Sequence, residues 1–488
     1  MKKSYPIVLT GDRATLSSFG DNAFRAFFCT FPHKFVERFV EEYLTPILNN
    51  DGTVKFANYG LRKVESLLID EFGYESVAVV HPDNLSDFVG ENTKIIGISV
   101  HDPLGLAYVS TTYNSLIGFG GVALGAHEFM NLMQNKVIKN KKAKIVVGGP
   151  GVWQLRDAKM QKELGIDLLL YGDAEKDLVQ IIKKIMNNEE VGSEIEMSKI
   201  NPKEDKIPTI KKPSTFGCVE ITRGCGRGCH FCTPTVRKKY SFPIEYIMKE
   251  VEVNIRGGNE SIFIVTDDLF LYNSNPGFKP NRGEVFKLIK SIGDYPGVNY
   301  IHLSHGSFAP VVCDPKMIED ITPILLDRTK RMLNGKKYVT IEMGIETGSI
   351  RIMKEHMKGK ALPFKVELWH DIICQALGIL NDNSWYPLCT IMTAMPGEKD
   401  EDIIQTLELL DEIKEFKLFY VPIIFIPIEG AFWGRERRVS LDKLNELQWE
   451  LLATSWKRNF DIWLKKEEMI YIKAIGFLYY WGYMRWKH

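Results

Sequence analysis

Short apolar runs rich in Val, Ile and Leu alternate with helical patterns along most of this 488-residue chain. Strands separated by helices indicate βαβ units, which assemble into parallel sheets or barrels covered by helices. A polar stretch interrupts the alternation once. The sequence therefore predicts two α/β domains in series.

The first alternating segment predicts a doubly wound, Rossmann-like α/β domain over residues 1–187. Helix-like segments, among them Gly125–Lys139 and Ala174–Met186, separate the candidate strands. The predicted strands are Pro6–Thr10, Ser76–His81, Lys94–Val100, Lys144–Val147 and Asp167–Tyr171. Ligands of such open sheets bind at the carboxyl ends of the strands.

Residues 188–214 are rich in Glu, Lys, Ser and Pro, and this composition predicts a linker. Residues 215–435 then predict a partial (β/α)6 barrel of the TIM type, with its site at the carboxyl ends of the strands. The predicted barrel strands are Cys218–Thr222, Ser261–Val265, Tyr300–Ser304, Val339–Met343, Leu388–Met392 and Val421–Ile426. Residues 436–488 lack strand signals and predict a helical C-terminal region.

The charges balance, with 62 basic and 62 acidic residues. No basic surface is therefore indicated, and we expect no nucleic-acid partner. The N-terminal apolar run breaks at Gly11 and Asp12, which does not suit a signal peptide. The longest apolar stretch, Met469–Trp486, contains Lys473 and Arg485 and does not suit a spanning helix. We expect a cytoplasmic protein with reduced thiols.

Three of the eight cysteines, Cys225, Cys229 and Cys232, fall within eight residues directly after a predicted strand. Glycines between them let a short loop wrap around a bulky group. Three thiolates can hold three irons of a 4Fe-4S cluster and leave the fourth iron open. The alternative is a structural zinc site, which needs a fourth ligand such as Cys218 or His230.

The spacing CxxxCxxC, with the aromatic Phe231 before the third cysteine, resembles the signature of the radical S-adenosylmethionine superfamily. The resemblance implies that Cys225, Cys229 and Cys232 ligate a 4Fe-4S cluster whose open iron binds S-adenosylmethionine. It places Phe231 beside the adenine. It further implies that one electron, from a donor such as a ferredoxin or flavodoxin, cleaves S-adenosylmethionine to a 5′-deoxyadenosyl radical.

Three further stretches resemble motifs of the same superfamily and follow successive predicted strands. Asp267 and Asp268 end the second barrel strand, Glu346 and Ser349 belong to a G-x-E-S/T-G-S stretch, and Pro396 belongs to a P-G-E turn. The resemblance implies that these five residues bind S-adenosylmethionine. On residue chemistry alone, the two aspartates would equally suit a solvated turn, whereas a carboxylate such as Glu346 at a barrel strand end indicates a site.

The N-terminal domain resembles the cobalamin-binding domain found in one branch of the superfamily. Gly148, Gly149 and Pro150 follow one predicted strand, Gly172 follows the next, and Asp102 follows the third. The resemblance implies that these five residues bind cobalamin. Turns of α/β domains that bind no cobalamin can have similar sequences. The string D-x-H-x-x-G, which supplies a histidine to cobalt, does not occur. We therefore expect either cobalamin without a histidine ligand from this chain or a domain that binds no corrinoid.

Together these resemblances imply a cobalamin-dependent methyltransferase that methylates an unactivated carbon through the adenosyl radical and methylcobalamin. One alternative is a radical enzyme that forms carbon-carbon bonds or rings in a lipid or isoprenoid. Another is a non-catalytic iron-sulfur protein. A methylthiotransferase would need a cysteine-bearing N-terminal domain, and only Cys29 precedes the barrel.

Neither the catalytic acid or base nor the substrate is identified by the sequence. A peptide, a small molecule and a lipid all remain open. The final helix is dense in aromatic residues, which suits either core packing or peripheral contact with a membrane.

Overall fold

A computed structural model describes residues 4–140, 142–202 and 206–463. It divides into two compact units. Of the described residues, the first unit contains those up to 114 together with those within 119–218 and 249–259, and the second contains 115–118, 219–248 and 260–463. The aromatic helix predicted at Met469–Trp486 lies outside the described residues. Within the described ranges, no helix is both long and apolar enough to span a membrane.

The first unit is built on a six-stranded parallel sheet in the order β2-β1-β3-β4-β5-β6. Its strands are β1 Ile7–Gly11, β2 Val77–Val79, β3 Ile95–Ser99, β4 Lys144–Gly148, β5 Leu168–Tyr171 and β6 Glu194–Glu196. Five of them confirm predicted strands. The sixth, β6, lies inside the predicted linker and pairs with β5. An edge strand has one neighbour, so its sequence can remain polar and give no apolar signal.

Helices cover both faces of this sheet, which confirms the doubly wound class. They are α1 His33–Val40, α2 Tyr59–Phe72, α3 Leu85–Phe88, α4 Tyr108–Ile117, α5 Leu124–Met133, α6 Lys136–Lys139, α7 Ala158–Leu164 and α8 Ala174–Met186. Alternate residues of β1 show the consequence: Val8 packs in one apolar core, and Ile7 and Leu9 pack in another. The predicted helix Gly125–Lys139 is divided because the Asn135 side chain caps α6.

The chain leaves β1 toward β2 on one side and returns to β3 on the other. Strand order therefore reverses between β1 and β3, where open α/β sheets bind ligands. The turn after β4 packs against the segment that follows β3. A Cβ atom on Gly149 would lie 2.5 Å from the carbonyl oxygen of Val100, and one on Gly151 would lie 2.2 Å from that of His101.

The second unit contains two parallel sheets, in the orders β11-β10-β7 and β12-β15-β16-β17. Its strands are β7 Cys218–Glu220, β8 Thr222–Arg223, β9 Tyr240–Ser241, β10 Ser261–Val265, β11 Tyr300–Leu303, β12 His305–Gly306, β13 Met332–Leu333, β14 Lys336–Lys337, β15 Glu342–Glu346, β16 Leu388–Thr393 and β17 Phe419–Ile424. Only Ser304 separates β11 from β12. The two sheets therefore form the wall of a partial (β/α)6 barrel, as predicted.

The fourth barrel strand differs from its prediction. It was expected over Val339–Met343, but β15 begins at Glu342. Val339 and Ile341 are buried apolar residues just before the strand, and they mimic a strand pattern. The strand itself carries Glu342 and Glu346, whose polarity hides it from a search for apolar runs.

Helix α9 Ile244–Arg256 begins in the second unit, and its residues 249–256 belong to the first. The other helices of the second unit are α10 Arg282–Gly293, α11 Phe308–Cys313, α12 Pro315–Asp327, α13 Ile350–His356, α14 Trp369–Asp382, α15 Asp400–Glu412 and α16 Glu446–Trp463. Helix α16 confirms the first helix expected after the barrel. It covers the free edge of β17, because Asn459 accepts a 2.8 Å bond from the Tyr420 N–H and donates a 2.7 Å bond to the Tyr420 carbonyl.

We expect Gly151→Ala to destabilise the first unit by roughly 1–3 kcal/mol, because its methyl group would overlap the His101 carbonyl while its backbone conformation suits alanine. Gly60→Ala is the matched control, since nothing lies within 4 Å of its Cβ position. The thermal unfolding midpoint should fall for Gly151→Ala alone. Equal midpoints in the two variants would contradict this packing.

Candidate functional site

The three cysteines lie in the loop that joins β8 to β9, at the carboxyl end of the first barrel strand. All three thiols are free, with Cys229 buried and Cys225 and Cys232 half-buried. Thr235 closes the loop, because its hydroxyl accepts bonds from the backbone N–H groups of Gly228 and Cys229. The loop is thus ordered around its thiols without any bond between them.

Glycine is required at the start of this loop. Gly224 has a φ of 79°, in the left-handed region that favours glycine. A Cβ atom there would lie 2.8 Å from the carbonyl oxygen of Lys238. Any other residue would push apart the two arms of the loop.

Burial controls the protonation of the thiols. It raises the pKa of Cys229 to about 11 and that of Cys232 to about 12. It also raises the pKa of Cys225, although the backbone N–H of Arg227 donates to this sulfur and opposes the shift. Ligand binding by these cysteines must therefore displace protons.

This donor set fits a 4Fe-4S cluster. Each thiolate binds a different iron of such a cluster, and N–H groups that donate to sulfur are a usual part of its surroundings. Arg227 offers one more donor, since its Nε is buried without a partner. In the described part of the chain, no three His, Cys, Asp or Glu side chains lie close enough to hold a single metal ion.

The two predicted aspartates have different positions. Asp267 accepts a bond from the backbone N–H of Gly224, next to Cys225, and its pKa is raised by burial. Asp268 is buried and accepts bonds from Arg227 Nη2 at 2.7 Å and from the Ser307 hydroxyl. Asp267 therefore touches the cysteine loop directly, whereas Asp268 holds Arg227 within it.

Glu346 ends β15 with a φ of 62° and is buried. Its Oε1 accepts a 3.0 Å bond from Lys360 Nζ, and its Oε2 accepts a 3.1 Å bond from the Thr390 hydroxyl. Gly344 makes room for this pair, because a Cβ atom there would lie 2.0 Å from Glu346 Oε1. The carboxylate predicted to bind S-adenosylmethionine is therefore fixed by residues of two other segments.

The loops after the fourth and fifth barrel strands are closed by their own polar groups. Ser349 caps α13, accepting a bond from Ile352 N–H, and its hydroxyl donates to Asp402. Pro396 lies in a turn that Glu398 closes by accepting a 2.6 Å bond from the Ala394 N–H. The Ser349 hydroxyl is therefore engaged in helix capping.

His356 and Trp433 pack against His230 and hold this part of the cysteine loop in place. His230 Nδ1 lies 3.1 Å from His356 Nδ1, and the ring of Trp433 packs against both imidazoles. The His230 carbonyl accepts a bond from the Trp433 N–H at 2.9 Å. Phe231, the residue expected beside adenine, directly follows His230 and is half-buried.

In the first unit, the predicted cobalamin residues lie at the carboxyl ends of three strands. Gly148, Gly149 and Pro150 end or follow β4, and Gly172 follows β5 with a φ of 91°. Asp102 follows β3, where its carboxylate accepts bonds from Leu106 N–H, Ala107 N–H and the Gln154 amide. Asp102 therefore holds its own loop in place.

A buried acidic group that was not predicted from the sequence lies at the same sheet edge. Asp12 directly follows β1, is buried, and accepts bonds from the backbone and hydroxyl of Thr15. Burial raises the pKa of Asp12 and brings that of Glu128 to about 7. The position of Asp12 directly after a predicted strand could have indicated a site residue. Glu128 lies on a helix, and no sequence pattern marks it.

In the barrel, Arg227 and Lys360 belong to the site but were not predicted from the sequence. A further polar pair lies at the strand ends, where His305 Nε2 is 2.9 Å from Glu342 Oε2. Arg227 lies inside the cysteine motif, and its position could have identified it as a site residue. Lys360 belongs to no motif, and only the fold brings it to the site.

Glu398 gives a test of the P-G-E turn. Burial raises its pKa to about 7 from an ordinary value of 4.5, so the folded state retains a proton that the unfolded state has released. Stability should therefore decrease as pH rises from about 5 to 8. Glu398→Gln should flatten this decrease in the thermal midpoint, and the exposed Glu401→Gln should not. Identical pH profiles would disprove the assignment.

Comparison with known proteins agrees with this geometry. Residues 219–410 match the Radical SAM superfamily. A tRNA-2-methylthio-N(6)-dimethylallyladenosine synthase from Thermus thermophilus is 26% identical over 65% of this chain and 63% of its own length. A ribosomal protein uS12 methylthiotransferase from Cytophaga hutchinsonii is 26% identical over 42% of each chain. The matched region thus spans less than two thirds of these relatives.

A structural match extends over more of the molecule. The radical S-adenosylmethionine methyltransferase TsrM from Kitasatospora setae, solved with cobalamin and a 4Fe-4S cluster bound, aligns with 88% of this chain and 74% of its own. The TM-score is 0.54 and the identity is 11%, so the match concerns the fold. The barrel that carries Cys225, Cys229 and Cys232 is a radical S-adenosylmethionine domain.

Proposed function

We propose that the protein is a cobalamin-dependent radical S-adenosylmethionine methyltransferase that methylates an unactivated carbon. The observation that carries this proposal is the combination of a three-thiol loop on the barrel with a preceding doubly wound sheet whose carboxyl edge is rich in glycine. The fold shared with TsrM supports the proposal, since TsrM was solved with cobalamin and a 4Fe-4S cluster bound.

When bound, the cluster and S-adenosylmethionine supply a 5′-deoxyadenosyl radical, and cobalamin supplies the methyl group. In the proposal, Cys225, Cys229 and Cys232 hold three irons. Asp267 and Glu346, fixed beside the cysteine loop, orient S-adenosylmethionine. An external protein of the ferredoxin or flavodoxin class delivers the electron.

The first unit would hold cobalamin at the switch point between β1 and β3. The segment after β1 reads Asp12-Arg13-Ala14, with alanine where the D-x-H pattern has histidine. Its methyl group cannot ligate cobalt. The proposal therefore places no histidine of this loop below the metal.

Methylthio transfer is the second candidate, because the sequence relatives carry that name. The first 217 residues contain a single cysteine, Cys29, and this argues against methylthio transfer. Burial and the nearby Asp12 carboxylate raise the pKa of this thiol far above its ordinary value. A single thiol cannot supply the three cysteine ligands that a second 4Fe-4S cluster with one open iron would need.

A lipid or isoprenoid substrate for ring formation is less favoured by the barrel. The His305–Glu342 pair occupies paired positions of β12 and β15, and both side chains are accessible to solvent. Covering such a pair with hydrocarbon would remove its hydration without replacing it. A polar substrate, such as a peptide or a small polar molecule, suits this surface better.

The central test is anaerobic reconstitution with iron, sulfide and hydroxocobalamin, followed by an assay of 5′-deoxyadenosine with dithionite as reductant. Formation should fall to background in Cys225→Ala, because a cluster ligand is lost. Cys374→Ala is the control, since this thiol lies on α14 near Glu412 and should not affect the assay. Equal 5′-deoxyadenosine formation in the two variants would contradict the assignment of Cys225 as a cluster ligand.

Product mass separates the candidate reactions. Methylation adds one methyl group to the substrate, methylthio transfer adds a methylthio group, and ring closure removes two hydrogens. Corrinoid that remains bound after gel filtration favours methylation. A protein that binds zinc but no iron under anaerobic purification would overturn the proposal.

A further inference from the structure

A set of exposed basic side chains lies beside the cysteine loop. It comes from three segments of the second unit, which are the loop itself, the turn 358–361 and residues 435–438. Within the described residues, no member of the set has an ion-pair partner. Its members, which we call the basic rim, are Lys238, Lys358, Arg435, Arg437 and Arg438. The whole chain has no net charge, so this excess of positive charge is local.

Backbone contacts hold two members of the basic rim at the loop. A Cβ atom on Gly224 would lie 2.8 Å from the carbonyl oxygen of Lys238. One on Gly359 would lie 1.9 Å from the carbonyl oxygen of Arg227, so the turn that carries Lys358 rests directly on the loop. The two lysines are therefore fixed beside the loop although their side chains are exposed to solvent.

The segment that carries the three arginines is held in the same way, and it adds an exposed aromatic ring. The Trp433 N–H donates a 2.9 Å bond to the carbonyl of His230, two residues before Arg435. The ring centroid of Phe432 lies 5.3 Å from that of His230, and Phe432 is 62% exposed. An exposed apolar ring bordered by arginines has the composition of a protein interaction surface.

We propose that the basic rim and Phe432 form the docking surface for an acidic protein that donates one electron. The inference rests on the proposed function, which needs one external electron for each S-adenosylmethionine that is cleaved. In the transfer, the reduced group of the donor loses one electron, the cluster gains it, and no covalent bond forms or breaks. Electron transfer slows steeply with distance, so the donor must dock close to the cysteine loop.

Charge favours a small acidic protein over a nucleic acid as the occupant. Electron-transfer complexes are small and transient, and complementary charges steer the encounter of the two proteins. A nucleic acid is instead bound through many phosphate contacts along its length. The basic rim is confined to one loop and its two neighbouring segments, and Glu436 interrupts its arginines. This arrangement suits a compact partner.

The first test measures the association rate of the protein with two probes, an acidic flavodoxin and an acidic ferredoxin. The variant Arg435→Glu/Arg437→Glu/Arg438→Glu should lower this rate about tenfold or more, because the steering charge is reversed. Added salt should slow association of the wild type and not that of the variant, since salt screens the attraction. A wild type that binds neither probe overturns the inference.

The matched control is Lys336→Glu/Lys337→Glu/Lys414→Glu, which changes the net charge by the same amount. These exposed lysines lie in the segments that lead into β15 and β17, at the strand ends opposite to the cysteine loop. The control should bind both probes at a rate close to that of the wild type. Equal rates in the two triple variants would show that total charge, and not the basic rim, governs association.

The choice of reductant separates this inference from the proposed function. Dithionite is small and needs no docking surface, so 5′-deoxyadenosine formation with dithionite should be the same in the arginine variant and the wild type. With reduced flavodoxin, formation should fall about tenfold in the arginine variant. Equal formation with flavodoxin overturns this inference alone. A wild type that forms none with dithionite and holds no cluster overturns the proposed function as well.

Phe432→Ala tests the apolar part of the surface, and bulk transfer RNA tests the other class of partner. Phe432→Ala should speed dissociation of flavodoxin and leave association unchanged, because apolar contacts form after the encounter. Transfer RNA should not displace flavodoxin from the wild type. Binding of transfer RNA that the arginine variant loses, with no binding of either acidic protein, overturns the inference in favour of a nucleic-acid surface.

Discussion

The contact between the Gly359 backbone and the Arg227 carbonyl is the constraint on which the arrangement of the barrel site depends. It brings a turn from beyond the fourth strand onto the cysteine loop that follows the first. In this position Lys360 pairs with Glu346, which gives the buried carboxylate a positive partner. Because an unpaired buried carboxylate is strongly disfavoured, the loop, the strand end and the turn must form together.

Much of the architecture follows from local sequence patterns. The alternation of apolar strands and helices predicts both α/β domains, since βαβ units can close only into parallel sheets. Prediction failed where a strand is not apolar. Strand β6 lies at a sheet edge, and β15 carries Glu342 and Glu346 toward the site. In both places polarity has a structural or functional reason that an apolar search cannot detect.

The site was predictable to the extent that its residues are close in sequence. Cys225, Cys229 and Cys232 are recognisable because one loop must carry all three ligands. The partners that hold this loop are not. Lys360 comes from a separate segment, and its identity as a partner depends on packing across the barrel. Such partners carry no spacing rule, so only the three-dimensional fold reveals them.

The same logic explains why residues of one motif take different roles. Asp267 and Asp268 are neighbours, but a strand end points successive side chains in different directions. Asp267 meets the loop backbone at Gly224, while Asp268 turns toward Arg227. The Asp268 carboxylate thus keeps the buried Arg227 guanidinium paired within the loop.

Burial and charge act against each other on the thiols. A buried loop excludes water from the reacting centre, but burial also favours neutral thiols over the thiolates that bind iron. Arg227 lowers the pKa of Cys225 and Lys360 lowers that of Cys229, so both cations oppose the effect of burial on the thiols. Asp268 and Glu346 pair with these two cations, so neither cation is buried without a partner. That balance lets one loop be both sheltered and able to bind metal.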